Sequence, residues 1–258
     1  MASAPPANAL PLFYKDLQPL SSTSHGEFKA RRINSAPFFA AAHAVPVTID
    51  EFAVAQRDFP IVFSVGDNPV PLALMGLNEG VNTFVDEEGV LTSDVYVPAY
   101  VRRYPFMLAR LRPDADELSL CFDPSADAVG AYDDGDPLFE EGKPSEHTQA
   151  ILTFCEQFET AGQRTAAFMK ELGDLKLLID GEVSIQPEGA TQPYVYRGFQ
   201  MVDENKLRDI RGDQARKMIQ SGLMALVYAH LFSLSLIRDV FGRQMAQGKV
   251  PPAIAPVL

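Results

Sequence analysis

A chain of 258 residues, 47% hydrophobic and 22% charged, is long enough to bury a substantial core and too ordinary in composition for a disordered, collagen-like or coiled-coil architecture. Its 34 acidic against 22 basic side chains leave a net charge of −12, which repels phosphate backbones and argues against nucleic acid as a partner. Two cysteines, Cys121 and Cys155, are too few to staple a small secreted scaffold and fit a reducing compartment.

In chain order, Met1 to Pro6 offers neither a basic stretch nor an apolar run of the kind that marks export, so the sequence predicts a cytoplasmic protein. Residues 1–9, small and proline-rich, predict a flexible arm ahead of a single domain over 10–258. Short hydrophobic pieces broken by prolines follow: Leu12-Phe13-Tyr14, Phe38-Phe39 and Val45-Pro46-Val47, read as extended segments and turns. Thr48 with Asp50 and Glu51 predicts a brief helix to about Gln56. Ile61 to Val65 and Val70 to Leu74 flank a Gly66-Asp67-Asn68 turn and predict a hairpin, with Asn82 to Val85 as a third strand of a meander. Pro71 has no amide hydrogen for a ladder, so its strand is expected at an edge or with a late start. A short helix is expected within Tyr96 to Leu108, interrupted at Pro105, and then a half-buried strand over Leu118 to Phe122.

Asp123 to Gly142, crowded with Asp, Gly and Pro, predicts an exposed acidic loop, and the stretch 123–143 is a possible boundary between lobes. Ser145 then caps a long amphipathic helix to about Leu172, with Ile151, Cys155, Phe158, Phe168 and Leu172 on its apolar stripe. Val183 to Ile185 and Tyr194 to Tyr196 predict a second hairpin, extended by Gly198 to Val202. Asp203 caps a short helix through Leu207. Asp213 opens a last, largely buried helix to about Met245. Its apolar tract, Leu223 to Ile237, falls short of the ~20 residues that cross a bilayer, so no transmembrane segment is expected. Strands and helices come in blocks instead of alternating, which predicts an α+β fold with antiparallel sheets.

Motifs of specific chemistry are absent: no phosphate-binding glycine loop, no His-Glu-x-x-His, no Cys-x-x-Cys and no Gly-x-Ser-x-Gly. The four histidines, His25, His43, His147 and His230, lack metal-ligand spacing, so neither a metal nor a cofactor is expected. Two features remain. Tyr96, Tyr100, Arg102, Arg103 and Tyr104 gather three phenols and two guanidiniums within nine residues. Such a set suits clamping of a carboxylate or phosphate beside aromatic faces; the alternative is that the arginines pair internally with Asp86, Glu87 or Asp94 and fasten their helix to the sheet. His230, among Leu226, Val227, Leu231 and Leu234, is a candidate general base if it opens on a cleft. Otherwise it is a core histidine satisfied by a backbone carbonyl.

Several segments together resemble the bacterial SapC family: Pro11 to Leu17, Val45 to Thr48 with Glu51-Phe52, Arg57 to Phe63, Phe84 to Gly89, Tyr96 to Phe106, Pro137 to Phe139, and Tyr228 to Leu234. The resemblance spans nearly the whole chain. It implies no established reaction and no catalytic residues; the family name derives from surface-layer systems. Members look like companions of outer-membrane receptor, halogenase-like and cupin-like genes in Gram-negative bacteria, which implies an accessory role in nutrient uptake or modification. The expectation is a soluble accessory protein that binds a partner protein or a small anionic ligand through Tyr96, Tyr100, Arg102, Arg103 and Tyr104. The alternative is a cofactor-independent enzyme with His230 as general base on a carboxylate-bearing substrate.

Overall fold

The computed structural model describes residues 10–32, 35–111 and 117–250. Ile61, Val62 and Phe63 are all buried, because both faces of their strand are covered, and a strand with such a run belongs at the centre of a sheet. Ile61–Ser64 indeed lies third in a five-stranded antiparallel sheet ordered Leu178–Ile185, Tyr194–Val202, Ile61–Ser64, Pro71–Leu74, Ala44–Pro46. The hairpin expected over 61–74 is present. Pro71 is the first residue of its strand and pairs with Phe63, so the strand starts late and sits inside the sheet. Ala44–Pro46 supplies its other neighbour.

Asn82 to Val85 is not the third strand of that sheet. The segment makes only an isolated bridge, Val85 to Leu91, because its polar groups are spent on side-chain bonds. The buried Asn82 donates through Nδ2 to the Phe39 carbonyl (3.1 Å) and accepts from the Phe84 amide (2.9 Å). Thr83 donates to the Met75 carbonyl through both its amide and its hydroxyl, each at 2.9 Å. The loop is fixed by these bonds instead of a ladder.

A second, three-stranded antiparallel sheet orders Gln18–Pro19, Ser119–Phe122 and Phe106–Ala109. The long helix, Glu146–Asp174, packs on Phe106–Ala109 and on the 3-10 turn Ile49–Glu51. Ser145 caps it, its hydroxyl accepting from the Thr148 amide at 3.2 Å. Cys155, Thr165, Phe168, Met169 and Leu172 face inward. The acidic stretch is stitched down more firmly than an exposed loop. Val129–Gly130 and Asp136–Pro137 flank Lys29–Ala30 in a small sheet, and Leu138 is fully buried in a cluster with Phe106, Phe122, Val129 and Cys155. A few apolar residues among the acids hold the segment in place.

The C-terminal region is broken where one helix was expected. Gly212–Gln220 ends before Gly222, whose φ of +79° is a left-handed conformation that glycine tolerates best. Leu223–Ser233 follows, then a 3-10 turn and Ile237–Ala246. The middle helix buries Leu223, Val227, Ala229, His230 and Ser233 but leaves Tyr228 and Phe232 44% and 68% exposed, stacked at 5.7 Å. Taken together, Leu223–Ala246 is long and apolar enough to cross a membrane by length and composition, a longer run than the tract read from sequence. The fold nonetheless uses its polar members: Ser233 accepts from the Ile61 amide (2.9 Å), and Gln244 accepts from the Leu77 amide (2.5 Å).

Candidate binding cavity

Glu51 positions the site. A carboxylate taken out of water needs several donors, and the sequence Thr48-Ile49-Asp50-Glu51 supplies the first two as a capping box: the Thr48 amide and hydroxyl donate to Oε2 at 2.8 and 2.9 Å. Oε1 accepts from the Ala99 amide (2.7 Å) and the Tyr96 hydroxyl (3.1 Å). The buried carboxylate thereby anchors the start of the helical turn Ala99–Arg102, while Asp58 accepts from the Tyr96 amide at 2.9 Å. Glu51 shows in the sequence only through the Thr-x-x-Glu pattern of a helix start, which carries no sign of its contacts to Ala99 and Tyr96.

The five expected residues separate onto different surfaces. Arg103 turns inward: only 6% exposed, it stacks on Phe158 (4.3 Å) and Tyr100 (4.6 Å) and pairs with Glu159 at 3.4 Å. Its Nε is buried without a hydrogen-bond partner. Tyr100 is also buried and donates to the Leu12 carbonyl at 3.1 Å; desolvation pushes its phenol pKa up, with Arg103 opposing. These two are packing residues. None of the expected partners Asp86, Glu87 or Asp94 engages either arginine among the described residues.

Arg102 turns outward. Its Nε donates to the Val97 carbonyl and its Nη2 to the Tyr96 hydroxyl, both at 3.0 Å, and the guanidinium lies 5.1 Å over the Phe154 ring. It lines a cavity of about 540 Å³ with Tyr104. Tyr104 packs its ring on Phe38 at 4.1 Å and on Tyr14 at 5.2 Å; burial raises its phenol pKa, and the Asp123 carboxylate adds to the rise. The remaining wall is apolar, led by Phe39, Leu91, Val101 and Ile151. Arg31 and His147 complete the basic set, and among the described residues no Asp or Glu lines the hollow. A larger hollow of about 870 Å³ on the outer face of the five-stranded sheet differs: it mixes His43 and Arg197 with Glu79.

His230 is not part of this cavity's lining. It is fully buried, its Nδ1 2.7 Å from the Ile61 carbonyl and its Nε2 accepting from the Val202 amide at 3.1 Å. Those contacts fix a neutral ring protonated at Nδ1, bridging the adjacent strands Ile61–Ser64 and Tyr194–Val202, with Phe63 at 4.6 Å. Desolvation lowers its pKa to about 4. Both nitrogens are occupied by backbone and the ring lines none of the cavities described above, so the geometry provides no lone pair for a substrate. Cys155 is a buried thiol, its pKa pushed up to about 11 by desolvation. Among the described residues, no three metal-ligating side chains converge.

Fold and cavity together define an α+β protein that carries a half-open, largely apolar hollow with basic side chains in its wall. The chain belongs to the SapC family, whose family model matches residues 20–240. Neither a curated protein nor a solved structure matches it.

Proposed function

We propose that this SapC-family chain is a binding protein for a small anionic molecule, held in the cavity beside Ala99–Arg102 with Arg102 as its anion contact. The observation that carries the reading is the lining: no acid among the described residues of the wall, and in Arg102 a guanidinium that meets no carboxylate there, in a chain with a net charge of −12. Chance placement favours the opposite. The volume falls within the roughly 300–1,000 Å³ of small-molecule sites, and an apolar wall with a few polar groups is their usual make-up. Of the five original residues, the site keeps Arg102 and Tyr104, with Tyr96 holding Arg102; Tyr100 and Arg103 belong to the core behind it.

The test uses 1-anilinonaphthalene-8-sulfonate, whose fused rings and sulfonate match an apolar wall with one cation. Fluorescence titration of the wild type should saturate, and Arg102→Ala should weaken binding at least about tenfold with a melting temperature lowered by no more than about 4 °C, since the two bonds it loses are exposed. Unchanged affinity in the variant, or a loss accompanied by an equal loss of stability, overturns the reading.

A further inference from the structure

The geometry points to a ligand that is a monocarboxylic acid with an apolar body, in preference to a phosphate ester or a polyol. This deepens the reading above and rests on it. Its basis is a count of the charge left uncompensated around the cavity. Arg31 has its charge compensated: its Nε and Nη2 both donate to the Asp134 carboxylate, at 2.8 and 2.5 Å, and its guanidinium lies 3.6 Å over the Tyr132 ring. His147 faces Asp136 at 3.8 Å. Arg102 differs. It meets no carboxylate within ion-pair distance among the described residues, and its only acidic connection runs through the Tyr96 hydroxyl to Glu51.

Of the five N–H donors of a guanidinium, Arg102 commits two to protein oxygens, which leaves three. One cation with a planar fork of free donors matches one carboxylate. A phosphate monoester would bring a second negative charge against Val, Leu and Phe side chains, where an unpaired charge is disfavoured. The uncharged polar side chains of the described wall are only Ser35 and Tyr104, too few to satisfy the hydroxyls of a sugar or nucleoside.

Calorimetric titrations with decanoate, decanamide and decyl phosphate, each below its aggregation concentration, test this on the full chain. Decanoate is expected to bind, decanamide to bind at least about tenfold more weakly, and decyl phosphate no more tightly than decanoate. Arg102→Ala should erase the preference for decanoate over decanamide, and Arg102→Lys should keep part of it. Equal binding of decanoate and decanamide overturns the inference. So does decyl phosphate binding tenfold more tightly than decanoate with sensitivity to Arg102→Ala, although the anion-binding reading then stands. Failure of decanoate to bind while the naphthalene sulfonate binds through Arg102 has the same meaning. If no anionic probe binds in a way that depends on Arg102, the reading of function itself fails.

Discussion

Arg102 and Arg103 are neighbours of the same type on a single helical turn, and the fold treats them oppositely. Successive positions on a helix point about 100° apart, so one guanidinium enters the core and the other reaches the cavity. Arg103 is held by two aromatic faces and Glu159; Arg102 keeps three donors unspent beside an apolar hollow. A basic residue becomes available for a ligand when internal acids do not reach it, whatever its local density in the sequence. The same division runs through the molecule, with Glu51 and His230 on the holding side and Arg102 with Tyr104 on the cavity side.

The sharpest blow to that division falls on the holding side. Glu51→Ala strands the buried Thr48 and Ala99 amides and the Tyr96 hydroxyl at once, and each buried group without a partner costs about 1–3 kcal/mol. We expect a loss near 4 kcal/mol in urea denaturation, with Glu51→Gln also destabilising, since its amide would face an N–H donor at either oxygen position. A loss under about 1 kcal/mol would show that Glu51 does not organise the turn that carries both arginines.

Acid should reveal His230 next. Burial lowers its pKa to about 4, while the unfolded imidazole titrates near 6.5. Between those values the unfolded chain binds a proton that the native chain does not, so stability rises with pH through this window and falls by about 3 kcal/mol on acidification from pH 6.5 to 4. His230→Gln removes that component, and the difference between the two pH profiles isolates it from the carboxylates. His43, which desolvation also pushes down with Glu79 opposing, contributes with the same sign and persists in the variant. Parallel profiles would mean that the ring is not held neutral.

Arg103→Ala is the direct counterpart to the cavity test. Losing the stacked guanidinium should destabilise the protein by about 2 kcal/mol, less than for a fully buried pair, because Glu159 is 39% exposed and remains hydrated. Affinity for the naphthalene sulfonate, measured where the variant is folded, should stay within about twofold. A drop matching that of Arg102→Ala would erase the contrast between the two arginines.

The sequence exposed the parts of this arrangement that depend on local chemistry. Ser145 and Asp203 cap their helices as their hydroxyl and carboxylate dictate, and the apolar run at 61–63 marks a strand. The break at Gly222 was hidden because a helical period continues across it in Met218, Ile219, Leu223 and Leu226. Phe106–Ala109 was hidden behind Pro105, and its pairing with Ser119–Phe122 is a tertiary choice. For the site, composition flagged the 96–104 segment, but periodicity over so short a turn does not reveal which arginine faces inward. Much of the rest of the wall, including Arg31, Phe38, Leu91, His147 and Ile151, comes from residues distant in sequence that meet only in the fold.

The smallest expected effect concerns Tyr96, which touches both sides of the division. Its hydroxyl accepts from Arg102 and donates to Glu51, so it orients the cavity cation from the core carboxylate. Tyr96→Phe leaves Glu51 with three donors and Arg102 with its bond to the Val97 carbonyl. Of the two bonds lost, the exposed one from Arg102 is replaced by water and the part-buried one to Glu51 contributes about 1 kcal/mol, so the melting temperature should fall by no more than about 4 °C. Affinity for the naphthalene sulfonate should weaken only about two- to fivefold, because the guanidinium stays charged and loses orientation alone. Arg102→Ala combined with Tyr96→Phe should then bind no more weakly than Arg102→Ala by itself, since a positioning residue has nothing left to position. Additive losses in that cycle would instead make Tyr96 a ligand contact in its own right and move the boundary between holding and binding surfaces back to the buried carboxylate.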